Sequence, residues 1–234
     1  MINNRIDYLT EKKQSSVMKA AGLLIMLFLI SQQLSAHDNV GELEKMSRTD
    51  VAILYLLLGY KHILPLGVDH ILFVLSLFLL NPKLKPILWQ ATAFTVAHTI
   101  TLGMAMYGVI KPPSNIVEPV IALSILYVAL ENIFSGKLRA SRIGIVFLFG
   151  LIHGMGFASA LTSLGLPKNA YLQSLLMFNL GVELGQVTVI LAAFLLLGLP
   201  FGKKPYYRKA IVTPLSIAIA IIAAYWTVQR IFFA

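Results

Sequence analysis

The sequence predicts an all-α fold. It reads as a polytopic membrane helix bundle of six transmembrane spans behind an N-terminal signal peptide, with the first span kinked or broken near Pro65–Gly67. Three observations carry this prediction. The chain of 234 residues is 58% hydrophobic and only 12% charged, against about 25% charged in an ordinary soluble domain. Apolar runs of about eighteen or more residues recur, the length a helix needs to cross hydrocarbon. The alternating segments of about ten residues that build a membrane β-barrel are absent. The chain is long enough for one bundle with short loops, and a separate soluble catalytic domain has no room.

Two segments follow from this: a leader, 1–36, and a transmembrane domain, 37–234. Residues 18–36 begin Met-Lys, continue through the apolar core AAGLLIMLFLI and end SQQLSA at Ala36. A basic start, a short apolar core and a small-residue end describe a cleavable secretory signal. The core is too short to span comfortably. Residues 1–17 are polar, and translation from Met18 would give a more typical signal. Cleavage after Ala36 would leave His37 at the new N-terminus, where an amine and an imidazole together can chelate a metal. A polar linker is its plainer use.

The six spans cover about 51–80, 87–108, 117–135, 142–164, 171–199 and 209–230. The first is unusual. About thirty helical residues would reach roughly 45 Å, against a hydrocarbon thickness of about 30 Å. Pro65 removes a backbone donor and Gly67 loosens the helix, so a break is expected at 64–67. Broken helices at membrane depth are tolerated where they line a cavity or a buried site. An interfacial helix over 51–63 joined to an ordinary span is compatible with the same pattern.

Loop charges orient the bundle. Lys83 and Lys85 follow the first span, Lys137, Arg139 and Arg142 the third, and Lys203, Lys204, Arg208 and Lys209 the fifth. The other two loops carry one lysine each, Lys111 and Lys168. The positive-inside rule places the three basic loops in the cytoplasm. The mature N-terminus and the C-terminus then both lie outside a bacterial inner membrane, as an exporting signal requires. The net charge of +9 is thus assigned to topology and not to nucleic acid. The partners expected are the lipid bilayer and a metal ion, with self-association into a homo-oligomer also compatible. The chain has no cysteine, which excludes disulfides, thiolate metal sites and a Cys nucleophile.

Four of the five histidines lie inside apolar segments: His62, His70, His98 and His153. Asp69 and Glu183 keep similar company. An ionisable side chain at a helix centre costs about 2.5–3.5 kcal/mol on translocon scales, and such groups usually face the bundle interior. His62, Asp69 and His70 flank the expected break, while His98 and His153 sit mid-span. Asn179, Glu183 and Gln186 follow an i, i+4, i+7 spacing and share one helix face. Thr95 and His98 share another. The depths of His70, His98, His153 and Glu183 are mutually compatible. Imidazoles with a carboxylate suit Ni²⁺, Co²⁺ or Zn²⁺, so His62, Asp69, His70, His98, His153 and Glu183 are the candidate metal ligands. Asp69 could equally orient a histidine from behind. Asn179, Gln186, Thr95, Glu131 and Asn132 are candidates for a surrounding shell or a path. Each histidine has a plainer use, a hydrogen bond to Ser or Thr on a neighbouring helix. Gly150 and Gly154 form a small-xxx-small pattern for close helix approach, expected to bring the fourth span onto the fifth and His153 near Glu183.

At these residues the chain resembles a known family. The segments GYKHILPLGVDHILFVLSLFLL, FTVAHTITL, IALSILYVALEN, FGLIHGMGFA and FNLGVELGQ are similar to the HupE/UreJ family of bacterial membrane proteins, and more closely to its second branch. The resemblance spans roughly 55–190. It implies a six-span protein with a secretory signal, associated with nickel or cobalt uptake for hydrogenase or urease maturation. The family motif of a histidine, a short spacer and Asp-His carries onto His62, Asp69 and His70. Six residues separate His62 from Asp69 here, where the founding branch is expected to have five. Only His153-Gly154 matches that branch's second motif of His-Gly pairs followed by Glu.

Three functions are compatible with the pattern. A transition-metal permease or uptake accessory would use the histidines as a transient site and the broken span as a gate. An intramembrane metal-dependent hydrolase would activate water at three imidazoles, with Glu183 or Asp69 as general base. A structural membrane protein would use the same groups only to hold helices together.

Overall fold

The computed structural model describes residues 43, 45–111, 113–135, 141–164 and 166–233. The leader, Met18, His37 and the loop charges Lys137 and Arg139 lie outside these residues. Among the described residues the structure is all-helical.

Helix α1, Arg48–Ile63, starts where Ser47 caps it: the serine hydroxyl oxygen accepts from the Asp50 amide at 3.1 Å, and Asp50 sits favourably in the first turn. It ends at the expected break. Helix α2, Val68–Leu80, follows at an angle of 67° to α1. Gly67 makes the turn possible, because a Cβ there would overlap the carbonyl oxygen of His62. Then come α3, Leu84–Met106, α4, Ser114–Phe134, and α5, Arg142–Leu164. Helix α6, Tyr171–Ala193, runs on through a π turn, Phe194–Gly198, to Phe201, and α7, Thr213–Phe232, is entered through a second π turn, Arg208–Val212. The expected boundaries hold to within a few residues, the largest offset being at the start of α7.

Among the described residues three helical stretches are long and apolar enough to cross a membrane: Ser114–Phe134, Tyr171–Phe201 and Arg208–Phe232. Helices α1 and α2 meet the same test together, as one broken span. In α5 the apolar stretch among the described residues is Arg142–Ala158. Helix α3 is diluted by Lys85, Gln90, Thr92, Thr95, His98, Thr99 and Thr101.

The outer face of the bundle is apolar, and the polar groups of its helices are turned inward among an otherwise apolar core. On α6, Leu172, Leu176, Leu180, Leu184 and Leu191 are exposed along one stripe, while Ser174, Asn179 and Gln186 are buried. That inversion suits a lipid solvent, in which polar groups are costly.

Contacts fix the helix directions. Gln173 bonds the Arg48 carbonyl, Gly181 abuts Leu56 and Gly185 abuts Ile63, so α1 and α6 run parallel. Gly150 seats on Phe94 and Gly154 on His98, so α3 and α5 also run parallel. Helix α4 is antiparallel to α7, since Arg230 reaches the Glu118 carbonyl and Asn132 reaches Ser216. Helix α3 is antiparallel to α6 through His98–Asn179 and Thr92–Glu183.

One expectation about packing is corrected. Gly150 and Gly154 seat α5 on α3 and not on α6. A Cβ at either position would run into the carbonyl oxygen of Phe94 or His98, so backbone meets backbone along that seam.

Candidate metal site

The break in the first span builds the site. His62 lies in the last turn of α1 and His70 in the first turn of α2. Their rings meet edge to face with centroids 4.7 Å apart. His98 enters from α3, with its centroid 6.3 Å from that of His62 and 6.1 Å from that of His70. One ring nitrogen from each of these three lies within 4.8 Å of the others. His153 on α5 stands beside them, its ring 5.0 Å from that of His70. His62, which precedes the break, is thus inside the cluster.

Aromatic rings wall the cluster. Phe157 packs 3.8 Å from His62 and stacks on Phe178. Phe94 lies 4.9 Å from His153 and 5.7 Å from His70, and Phe73 lies 5.4 Å from His153. His98 and His153 are 0% and 1% exposed. In such surroundings every polar atom needs a partner, and an unpaired one costs about 1–3 kcal/mol. Nevertheless His62 Nε2, His70 Nε2, His98 Nε2 and His153 Nδ1 are all buried without a hydrogen-bond partner. Ring nitrogens of His62, His70 and His98 within 4.8 Å of one another are a donor set for a borderline divalent cation, and the buried, unpartnered His153 Nδ1 is on the neighbouring ring. A tetrahedral ion with bonds of about 2.0–2.1 Å holds its ligands roughly 3.4 Å apart. The three nearest nitrogens, within 4.8 Å of one another, would draw in by up to about 1.4 Å to reach that spacing.

The acids face elsewhere. Asp69 Oδ2 accepts from Arg230 Nη2 at 2.7 Å, and the pair is partly exposed. Arg230 also donates to the Glu118 carbonyl and lies 5.5 Å over the Trp226 ring. Glu183 Oε1 accepts from Thr92 at 2.7 Å, while its Oε2 is buried and unpartnered. Glu183 is one helical turn from Asn179, about 6 Å along the axis. Gln186 Oε1 accepts from Thr95 at 3.3 Å. Thus the polar face of α6 bonds to α3, with Asn179 alone reaching a histidine. Glu131 and Asn132 belong to a separate buried network around Arg142.

Sequence reasoning missed two residues at the site, Ser124 and Arg230, and the burial of Arg142 outside it. Ser124 on α4 lies 3.0 Å from His153 Nε2. A serine in an apolar span gives no signal, since its hydroxyl is usually satisfied by its own helix. Arg230 looked like the end of the last span. Arg142, read as a loop charge, is 1% exposed at the head of α5.

An all-helical membrane protein with a histidine cluster clasped between its helices is the class defined by these observations. Within it, a family profile described as HupE / UreJ protein matches residues 37–230, and the chain belongs to that family. The family relates it to nickel and cobalt handling. Neither a curated protein nor a solved structure matches the chain.

Proposed function

We propose that the protein is an integral membrane permease, or an accessory of metal uptake, for a divalent transition metal, with nickel and cobalt as the first candidates. The substrate ion would be taken by His62, His70, His98 and His153. The carrying observation is the meeting of ring nitrogens of His62, His70 and His98 within 4.8 Å of one another, with a buried, unpartnered nitrogen on each of the four imidazoles. The donor set is uncharged, because Asp69 is engaged by Arg230 and Glu183 by Thr92. Without a carboxylate to offset its charge, a dication would be held less firmly, which suits passage. The same engagement leaves neither acid turned to the cluster as a general base, so the hydrolase reading gains no support.

The helix directions favour six spans of alternating sense. Spans one and five run parallel, as do two and four, while three opposes six and two opposes five. Alternation requires all four relations. Together with the basic loops, this supports a bacterial inner-membrane protein with both mature ends outside.

The test is metal content and radiolabelled nickel uptake in proteoliposomes, comparing wild type with His70→Ala, His98→Ala, His153→Ala and Asp69→Asn. Wild type should bind about one ion per chain and transport it, as a single-cluster site requires. The histidine variants should lose both properties. Asp69→Asn should keep the stoichiometry, because Asp69 faces Arg230. One tightly held ion without uptake would overturn transport, and no bound metal would overturn the metal reading altogether.

A further inference from the structure

We infer that Asn179 and Ser124 are positioning residues that fix the tautomers of two histidines in opposite senses, so that the site presents Nε2 of His98 but Nδ1 of His153. This rests on the metal reading above and names the coordinating atoms within it.

The Asn179 Nδ2 group donates to the Leu175 carbonyl at 2.8 Å. That fixes which end of the amide is oxygen. Asn179 Oδ1 therefore faces His98 Nδ1 at 3.0 Å. An amide oxygen only accepts, so His98 must carry its proton on Nδ1. Its Nε2, buried and without a partner, is then a bare lone pair.

The second lock works through a hydroxyl. Ser124 Oγ lies 2.7 Å from the Ile121 carbonyl oxygen and 3.0 Å from His153 Nε2. A hydroxyl has one proton. At 2.7 Å from an oxygen that can only accept, that proton must point to Ile121. Ser124 therefore receives a hydrogen bond from His153, which must be protonated on Nε2. The lone pair of His153 is left on Nδ1, the nitrogen that is buried without a partner.

Both locks anchor to the backbone of their own helix, one on α6 and one on α4. Each is thus rigid before any ion arrives. A hydrogen-bonded partner on the far nitrogen also raises the basicity of the coordinating one, and losing such a partner typically costs about 10–100-fold in metal affinity.

The test uses the full chain labelled with ¹⁵N-histidine. In the metal-free protein, ring ¹H–¹⁵N correlations should show His98 protonated on Nδ1 and His153 on Nε2. With ¹¹³Cd²⁺ as probe, direct ¹¹³Cd–¹⁵N couplings should appear at His98 Nε2 and His153 Nδ1. Asn179→Leu and Ser124→Ala should each weaken cadmium binding about 10–100-fold and release the tautomer of their histidine. Asn179→Asp, which keeps the acceptor but loses the donor to Leu175, should restore the His98 tautomer, and Ser124→Thr, which keeps the hydroxyl, should restore both properties at His153. The reverse tautomer at either ring, or cadmium on Nε2 of His153, would overturn the inference, and the wild-type spectrum decides this even if a variant does not fold. The stated tautomers without any cadmium coupling would support the locks and overturn the metal reading instead.

Discussion

Alanine at Arg142 should destabilise the protein by about 3–5 kcal/mol, the usual cost of removing one partner from a buried ion pair. The guanidinium sits at the first residue of α5 and is 1% exposed. Its Nη1 lies 3.0 Å from Glu131 Oε2. That oxygen accepts no hydrogen bond, so the attraction there is coulombic. The directed bonds go to Asn132 Oδ1, 3.2 Å from both Nη1 and Nη2, and to the Ser76 carbonyl at 3.4 Å. Arg142 thereby ties α2, α4 and α5 together. Its loss would strand the Glu131 carboxylate in a site only 14% exposed and leave Asn132 Oδ1 unpaired. Arg142→Met combined with Glu131→Gln should recover most of the loss, because the stranded charge is then absent. Thermal unfolding in detergent checks both. A loss under about 1 kcal/mol, the range of exposed pairs, would mean that water screens the pair.

The second large effect belongs to the α1–α6 seam. Alanine at Gly59 or Gly181 should cost about 1–3 kcal/mol or more, the range for overpacking. A Cβ at Gly59 would overlap the Phe178 carbonyl oxygen, and one at Gly181 would overlap the Leu56 carbonyl oxygen. Backbone cannot rotate aside as a side chain can, so the helices must separate. Gly144→Ala is the control. Its added methyl meets nothing within 4 Å, and in a helix it should gain up to about 1 kcal/mol from propensity. Folded yield and melting temperature should separate the two classes. Equal behaviour of Gly59→Ala and Gly144→Ala would contradict the close seam. His62 lies three residues beyond Gly59, so the seam variants should also weaken metal binding.

The helices were legible because apolar length is a strong signal, and the break because Pro65 and Gly67 interrupt one apolar run. The gathering of the histidines was legible as well, since ionisable groups in hydrocarbon have few places to go. Partner choice was not. Asp69 and Glu183 looked like ligands by composition, yet a carboxylate goes to whichever donor the packing brings within reach, here Arg230 and Thr92. Arg142 sits next to a basic loop, and sequence cannot show that Glu131, Asn132 and the Ser76 carbonyl converge on it. Gly150 and Gly154 announced a close approach without naming the helix approached. Asn179 was visible as part of a polar face, but its bond to one particular ring nitrogen depends on side-chain geometry.

The elbow between α1 and α2 sets the bite of the site. Eight residues along an unbroken helix would place His62 and His70 about 12 Å apart, too far to share an ion. The turn at 64–67 folds that distance to a ring separation of 4.7 Å. Two of the four imidazoles therefore sit on opposite arms of a hinge, whereas His98 and His153 ride on helices that continue unbroken through the site. Opening the hinge would spread one pair of jaws and leave the other fixed, so the grip on a cation is adjustable from one side only.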